Sequence, residues 1–404
     1  TMADTKLTIG FLPLVDACLP ILAHDYGFAA DEGVALTFVR DVSWATVLDR
    51  LLYGHTDGAH MIAPLAIATT LGLGRPAQPL AAPFVLGLNG NAITLSKPLA
   101  AQVATPGEYG DPAAVGARLR EAAAAAQAQG RRLRFGVVHR FSSHNYKLRY
   151  WLAACGIRPD YDVEIVTIAP PFVPDALASG EIDGSCVGEP WSSVCVERDV
   201  GTIVLATAQI WRRGVEKVLA VREPVLADKA EAFAALIRAM RRAGRHFIDP
   251  ANFAENARIL ASAPYLDADP ALVLRAISDR LVLAHDAAPV HLPDLMFQHS
   301  EAANFPWMSQ AAWLYSQMAR WGHTAFDPAD AARAMRVFRP DIYRAALIDT
   351  GDDLPNASSK VEGSVTQMTQ VGAQQGTLTL SANRFFEGLT FDPHQIEAYL
   401  ASLP

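Results

Sequence analysis

Apolar and polar positions along the first half of the chain fall into blocks whose period switches between strand and helix. Residues 6–11 (KLTIGF) and 35–40 (ALTFVR) read as buried strands, and the run at about 17–26 between them reads as a helix stopped by Gly27. Next, Trp44, Val47, Leu48, Leu51 and Leu52 fall at i, i+3, i+4, i+7 and i+8 behind Ser43, a good N-cap. Gly54 stands where a left-handed residue ends such a helix, and an Asp-Gly turn leads into a strand over 58–63. Strand, helix and strand with short links predict a parallel α/β unit.

The pattern breaks into Pro- and Gly-rich chain around 97–112, passes an Ala-rich helix over about 112–129, and restarts. Residues 133–139 (LRFGVVH) read as a strand. Ser142 and Ser143 cap a helix with Leu148, Trp151, Leu152 and Cys155 on one face, ended by Gly156. A strand over 163–168, a short helix over 172–179 and a strand over 184–187 follow. Residues 52–60 (LYGHTDGAH) and 178–186 (ASGEIDGSC) write the same joint twice: helix end, Gly, two residues, Asp-Gly, strand. Two similar α/β lobes are therefore expected, each with one such joint. After a strand over 217–222 the chain reads as mostly helix to about 347, and 350–380 as polar loop. The expected division is lobe 1 over 1–100, lobe 2 over 101–215, and a return to lobe 1 with a helical C-terminal part over 216–404. The ligand cleft would lie between the lobes.

A chain of 404 residues has room for two such lobes. Its net charge of −8 argues against a nucleic-acid surface, which needs a basic face. The 4 cysteines are scattered, with no CxxC pair, and read as reduced and buried. Residues 2–7 lead straight into the first strand without the order of segments that marks a signal peptide, and the apolar run 61–73 is too short to span a bilayer. The sequence alone thus predicts a cytoplasmic protein that does not enter a membrane.

Ligands of α/β sheets bind beyond the carboxyl ends of strands, where helix N-termini point free N–H groups. Trp44, the Asn89-Gly90-Asn91 turn, His144, the Glu189-Pro190-Trp191 segment and Lys217 fall at such places. Each also has a plain reading: Trp44 as core, Asn89–Asn91 as a simple turn, His144 as a surface histidine, Glu189 as a structural carboxylate, Lys217 as a solvated lysine. Together they supply donors and few acceptors, which suits a small anion. With His144 in the pocket, affinity would rise as pH falls through about 6.5. No P-loop, GxGxxG, GxSxG or HExxH motif is present, and neither His139 with His144 nor His291 with His299 has metal-ligand spacing. No enzyme activity, cofactor or metal is implied.

The stretches VSWATVLDRL (42–51), GHTDGAHMIAP (54–64), LNGNAITL (88–95), SSHNYKLRYWLAACG (142–156), CVGEPW (186–191) and QIWRRGVEKVLAVR (209–222) resemble the nitrate/bicarbonate receptor family. That family comprises the solute-binding proteins of nitrate-type ABC transporters and their cytoplasmic sensor relatives, and the likeness runs in order over roughly 5–345. It implies a type II periplasmic-binding-protein fold and a pocket formed by Trp44, Asn91, His144, backbone near Gly188, and Lys217. Bicarbonate receptors carry glutamate at the lysine position, so Lys217 implies nitrate or nitrite; transport receptors commonly have glutamine where this chain has Asn91. Without a signal peptide, the chain looks most like the cytoplasmic nitrate/nitrite sensors, which partner an ANTAR-domain RNA-binding antiterminator. The alternatives are the transport receptor itself and, by fold alone, the pyrimidine-precursor synthases of thiamine biosynthesis. The Cys-rich motif and cofactor-binding lysine of those synthases are not found in this sequence.

Overall fold

The computed structural model describes residues 4–105 and 107–404. In chain order its main strands are β1 (Thr5–Phe11), β2 (Val34–Arg40), β3 (Gly58–Ile62), β4 (Leu80–Val85), the short β5 (Leu88–Asn89), β6 (Asn91–Ser96), β7 (Leu133–Val137), β8 (Val163–Thr167), β9 (Gly184–Gly188), β10 (Gly201–Ala206) and β11 (Lys217–Arg222). They form two five-stranded sheets, ordered β2-β1-β3-β11-β4 and β8-β7-β9-β6-β10.

The sheets repeat one plan. In each, a first strand pairs in parallel with the two strands beside it, and an antiparallel strand then enters from the other lobe. The doubled Asp-Gly joint is what seats each third strand. Asp57 accepts the Thr8 N–H at 2.8 Å while its own N–H donates to the Thr8 carbonyl at 2.8 Å. Asp183 does the same with Arg134, at 2.9 and 2.7 Å. A carboxylate one residue before glycine thus closes a backbone clamp on the preceding parallel strand, and Gly58 and Gly184 start the new one.

The sheets move the lobe division expected at residue 100. β6 belongs to the second sheet, so the chain first crosses between 86 and 91 and returns between 207 and 217. Lys97-Pro98, read as a break, instead starts the helix Lys97–Val103, because proline fits the first turn of a helix. Beyond β11 the chain is mainly helical, as expected to about 347. The loop expected over 350–380 contains a hairpin, Thr369–Ala373 with Gly376–Leu380, whose alternating residues Ala373, Leu378 and Leu380 are buried.

The C-terminal part ties the lobes together. The helix Met308–Arg320 packs on Ala63–Leu71 of the first lobe and on Ser143–Ala154 of the second. Trp211 in the returning crossover stacks on Phe385 with ring centroids 4.7 Å apart, and the Phe386 N–H donates to the Ile210 carbonyl. Among the described residues, no helix is long and apolar enough to cross a membrane.

Candidate functional site

Both crossing strands begin at the cleft. In the first sheet Lys217, the first residue of β11, pairs with Ile62; in the second Asn91, the first residue of β6, pairs with Gly188. The turn before β6 divides the work of its two asparagines. Asn89 takes a left-handed conformation (φ 60°), with its side-chain oxygen accepting the Gly214 N–H at 2.9 Å and its amide donating to the Asp294 carbonyl. It fastens the two crossovers together. Asn91, held at the strand start, keeps both side-chain atoms buried and without a partner. The segment is therefore a turn and also a source of one free amide.

Gly188 ends β9 against this amide. A Cβ there would stand 3.1 Å from Asn91 Oδ1 and 3.8 Å from Lys217 Nζ, so glycine leaves backbone open between the two. Lys217 itself is fully buried, against the solvated reading. Its Nζ donates to Asp16 Oδ2 at 2.7 Å and lies 3.4 Å from Glu216 Oε2. Burial works against the ammonium, but Asp16 and Glu216 more than offset this and hold its pKa above the ordinary lysine value.

Trp44 is the first residue of the helix Trp44–Leu52, whose N-cap Ser43 accepts the Thr46 N–H. Its ring packs on His60 at 4.9 Å between centroids, and its indole Nε1 is buried with no partner. His144 is the second residue of the helix Ser143–Ala154, capped by Ser142. The apolar face expected of that helix does not set its burial, because every residue from Ser143 to Leu152 is buried between the second sheet and the C-terminal helices. Both ring nitrogens of His144 lack a partner. Burial first, and then the nearby Lys217 charge, push its pKa down to about 3, so the ring is neutral at pH 7. That corrects a pH response centred on the ordinary histidine value.

Residues that the sequence did not single out complete the arrangement. Asp16 lies just past β1, buried; His60 is on β3; Glu216 and Lys147 are fully buried. The Leu12 N–H donates to His60 Nδ1 at 3.3 Å, so the ring proton is on Nε2 and is donated to Asp16 Oδ1 at 2.7 Å. Lys147 donates to Glu216 Oε1 at 2.6 Å and Ser143 to Glu216 Oε2 at 2.8 Å. Burial would raise both carboxyls, yet Lys217 with His60 drives Asp16 far below the ordinary carboxylate range, and Lys147 with Lys217 lowers Glu216 to about 2. A carboxylate inside the apolar run 11–22 and the adjacent Glu216-Lys217 pair were the available signals.

The site is shut. Trp44, Asn91, His144 and Lys217 are at most 1% exposed. Two bonds join the lobes beside it: the Val15 N–H donates to the Glu189 carbonyl at 2.9 Å, and Trp191 Nε1–H donates to the Pro13 carbonyl at 3.0 Å. Leaving a buried donor unpaired costs about 1–3 kcal/mol. Several such groups converging beside a buried ammonium form a place for a small acceptor-rich guest. A groove of about 530 Å³ on the second lobe, lined by Lys97, Arg131, Asp183 and Asp199, is different: its charged groups are already paired with each other.

The chain resembles known proteins over most of its length. The model of the NMT1-like family matches residues 1–261. The nitrate/nitrite binding protein NrtA of Synechococcus elongatus is 30% identical over 98% of this chain and 86% of its own length. The nitrate import ATP-binding protein NrtC of Synechocystis sp. is 32% identical over 86% of this chain, which spans 50% of that relative's length. The crystal structure of the periplasmic nitrate-binding protein NrtA from Synechocystis has a TM-score of 0.86 to this chain, with 25% identity and 99% of each chain covered. The architecture is that of the type II periplasmic binding proteins.

Proposed function

The chain belongs to the NMT1-like family, and on that premise we propose that it is an oxyanion receptor that closes its two lobes on one nitrate or nitrite ion and serves an ABC importer. The observation that carries this reading is the set of buried, unpartnered groups (Trp44 Nε1, Asn91 Nδ2 and His144) beside the ammonium of Lys217. Nitrate offers acceptor oxygens and no proton, so each free donor can meet an oxygen of the ion and the ion brings no donor that needs an acceptor. Closure over the ion removes water, which strengthens each of these bonds.

The proteins it resembles are named as nitrate-binding, nitrate-import, bicarbonate-binding and bicarbonate-transport components, which supports the transport role over regulation through an ANTAR antiterminator. Calorimetry on the dialysed chain tests the ligand. Four heavy atoms at about −1.5 kcal/mol each allow roughly −6 kcal/mol, a dissociation constant in the tens of micromolar. Heat from bicarbonate, with none from nitrate or nitrite, would overturn the reading. For the partner, stimulation of a reconstituted nitrate-type permease is expected. A complex with an ANTAR-domain protein that nitrate dissociates would move the role to regulation.

A further inference from the structure

Asp16 touches the site through two of its members without being one of them. One carboxylate oxygen takes the Lys217 ammonium at 2.7 Å and the other takes His60 Nε2–H at 2.7 Å. His60 is locked in that tautomer by the Leu12 N–H, so the carboxylate has one orientation and Lys217 one resting place.

The charges buried here cancel. Lys147 and Lys217 are positive; Asp16 and Glu216 are negative. His60 and His144 are neutral, each held below the ordinary histidine value first by burial. The Cys186 thiol nearby stays protonated because burial, then Glu216, push it up. Glu189, directly after Gly188, has its carboxyl raised to about 7 by burial, so at pH 7 it adds at most part of a negative charge. The remaining groups open to a guest are neutral dipoles: Trp44 Nε1, the Asn91 amide and one His144 N–H.

We propose that Asp16 is the residue that sets the charge selectivity of the site: it fixes the Lys217 ammonium and, by its own negative charge, shuts divalent oxyanions out. This rests on the oxyanion reading above and deepens it. A monovalent guest leaves one negative charge spread over its own oxygens and met by neutral donors. A divalent guest such as sulfate leaves two, in a space without water and beside a carboxylate that cannot turn away. At interior dielectric a second like charge at this range is repelled strongly enough to separate the two anions by tenfold or more.

The test compares the parent chain with Asp16→Asn and Asp16→Glu by calorimetry, using nitrate, nitrite, formate, bicarbonate and sulfate at pH 7 and pH 9. The parent is expected to take a monoanion at least tenfold more tightly than sulfate at both pH values, weakening from pH 7 to pH 9 only as far as ionisation of Glu189 adds negative charge. Asp16→Asn should lower the monoanion-over-sulfate ratio at least tenfold. It should also lose more anion affinity than the parent between pH 7 and pH 9, because a buried Lys217 with less compensation gives up its proton. Asp16→Glu should restore both the ratio and the parent's pH profile, which a merely structural role would not require. An unchanged ratio and an unchanged pH profile in Asp16→Asn overturn the proposal. If that variant does not fold, the parent decides: sulfate bound as tightly as the best monoanion overturns it. A parent that takes formate or bicarbonate but neither nitrate nor nitrite fails the functional reading alone, and one that takes no monoanion fails both.

Discussion

Glu189 follows β9 in the second lobe, where its backbone carbonyl takes the Val15 N–H of the first, and its carboxyl gives the sharpest prediction about stability. It is 2% exposed; Oε2 accepts only the Ser193 N–H, at 3.3 Å, and Oε1 has no partner. Burial, only partly opposed by Ser193, raises its pKa from 4.5 to about 7. The folded chain therefore holds this proton to about pH 7, whereas the unfolded chain releases it near the ordinary glutamate value. With the folded value raised, the stabilisation is complete below about pH 4.5 and is lost as pH rises through about 7. A rise of about 2.5 on the pH scale, at about 1.4 kcal/mol each, amounts to about 3.5 kcal/mol. Glu189→Gln keeps the group neutral at every pH. Its amide adds an offset that does not depend on pH, so the readout is how the variant-minus-parent difference changes. Urea unfolding of both proteins at half-unit steps from pH 5 to 8.5 should show that difference moving in the variant's favour by about 2–3 kcal/mol. Asp279, also raised to about 7 by burial, and the buried histidines titrate in both proteins and cancel. A difference constant to within about 0.5 kcal/mol across the range would refute the reasoning.

Lys217→Met removes the ammonium but leaves Asp16 buried, so stability should fall by about 3–5 kcal/mol along with anion binding. In Lys217→Met with Asp16→Asn, most of the stability should return while binding does not; urea midpoints and calorimetry read the two separately. Because His144 rests at about 3, nitrate affinity in Glu189→Gln, which removes the carboxyl that titrates near 7, should be flat from pH 6 to 8 and rise only at lower pH, where the bound anion lifts the histidine's pKa into range. A tenfold gain between pH 8 and 6 in a titration series would contradict this. Trp191→Phe deletes the N–H that reaches the Pro13 carbonyl, so nitrate should dissociate a few-fold faster in stopped flow, matching a loss of about 0.5–1.5 kcal/mol.

The fold was legible where local chemistry acts alone. The Ser43 and Ser142 caps, the stripe from Trp44 to Leu52 and both Asp-Gly joints are short-range signals, and the elements form where these signals stand. The crossing at 86–91 was not legible, because β6 is an apolar run like any other and its membership of the second sheet depends on pairing with β9, almost a hundred residues on. The hairpin at 369–380 was hidden by polar, weakly alternating residues on an exposed edge. At the site, the residues with free polar atoms could be placed by their positions at strand ends and helix starts. Asp16 and His60 could not, since a carboxylate in an apolar run and a histidine in a buried strand acquire meaning only once Lys217 and the Leu12 N–H lie beside them.

The doubled plan also explains why the proposed ligand groups stand where they do. Gly58 and Gly184 begin equivalent strands, and four residues on, Ile62 and Gly188 face the first residues of the two crossing strands, Lys217 and Asn91. The two positions are therefore structural counterparts, one delivered by each lobe to the same cleft. A symmetric choice would have served badly: two lysines would demand a second compensating carboxylate in a buried space, and two amides would leave an anion without a charge to meet. A cation from one lobe and a neutral amide from the other supplies one full charge and one adjustable dipole. Glycine at 188 rather than a counterpart of Ile62 then clears the space between them, since any Cβ there would crowd Asn91. The asymmetry that would make the proposed binding site out of two similar lobes thus rests on three residues, each at a strand end.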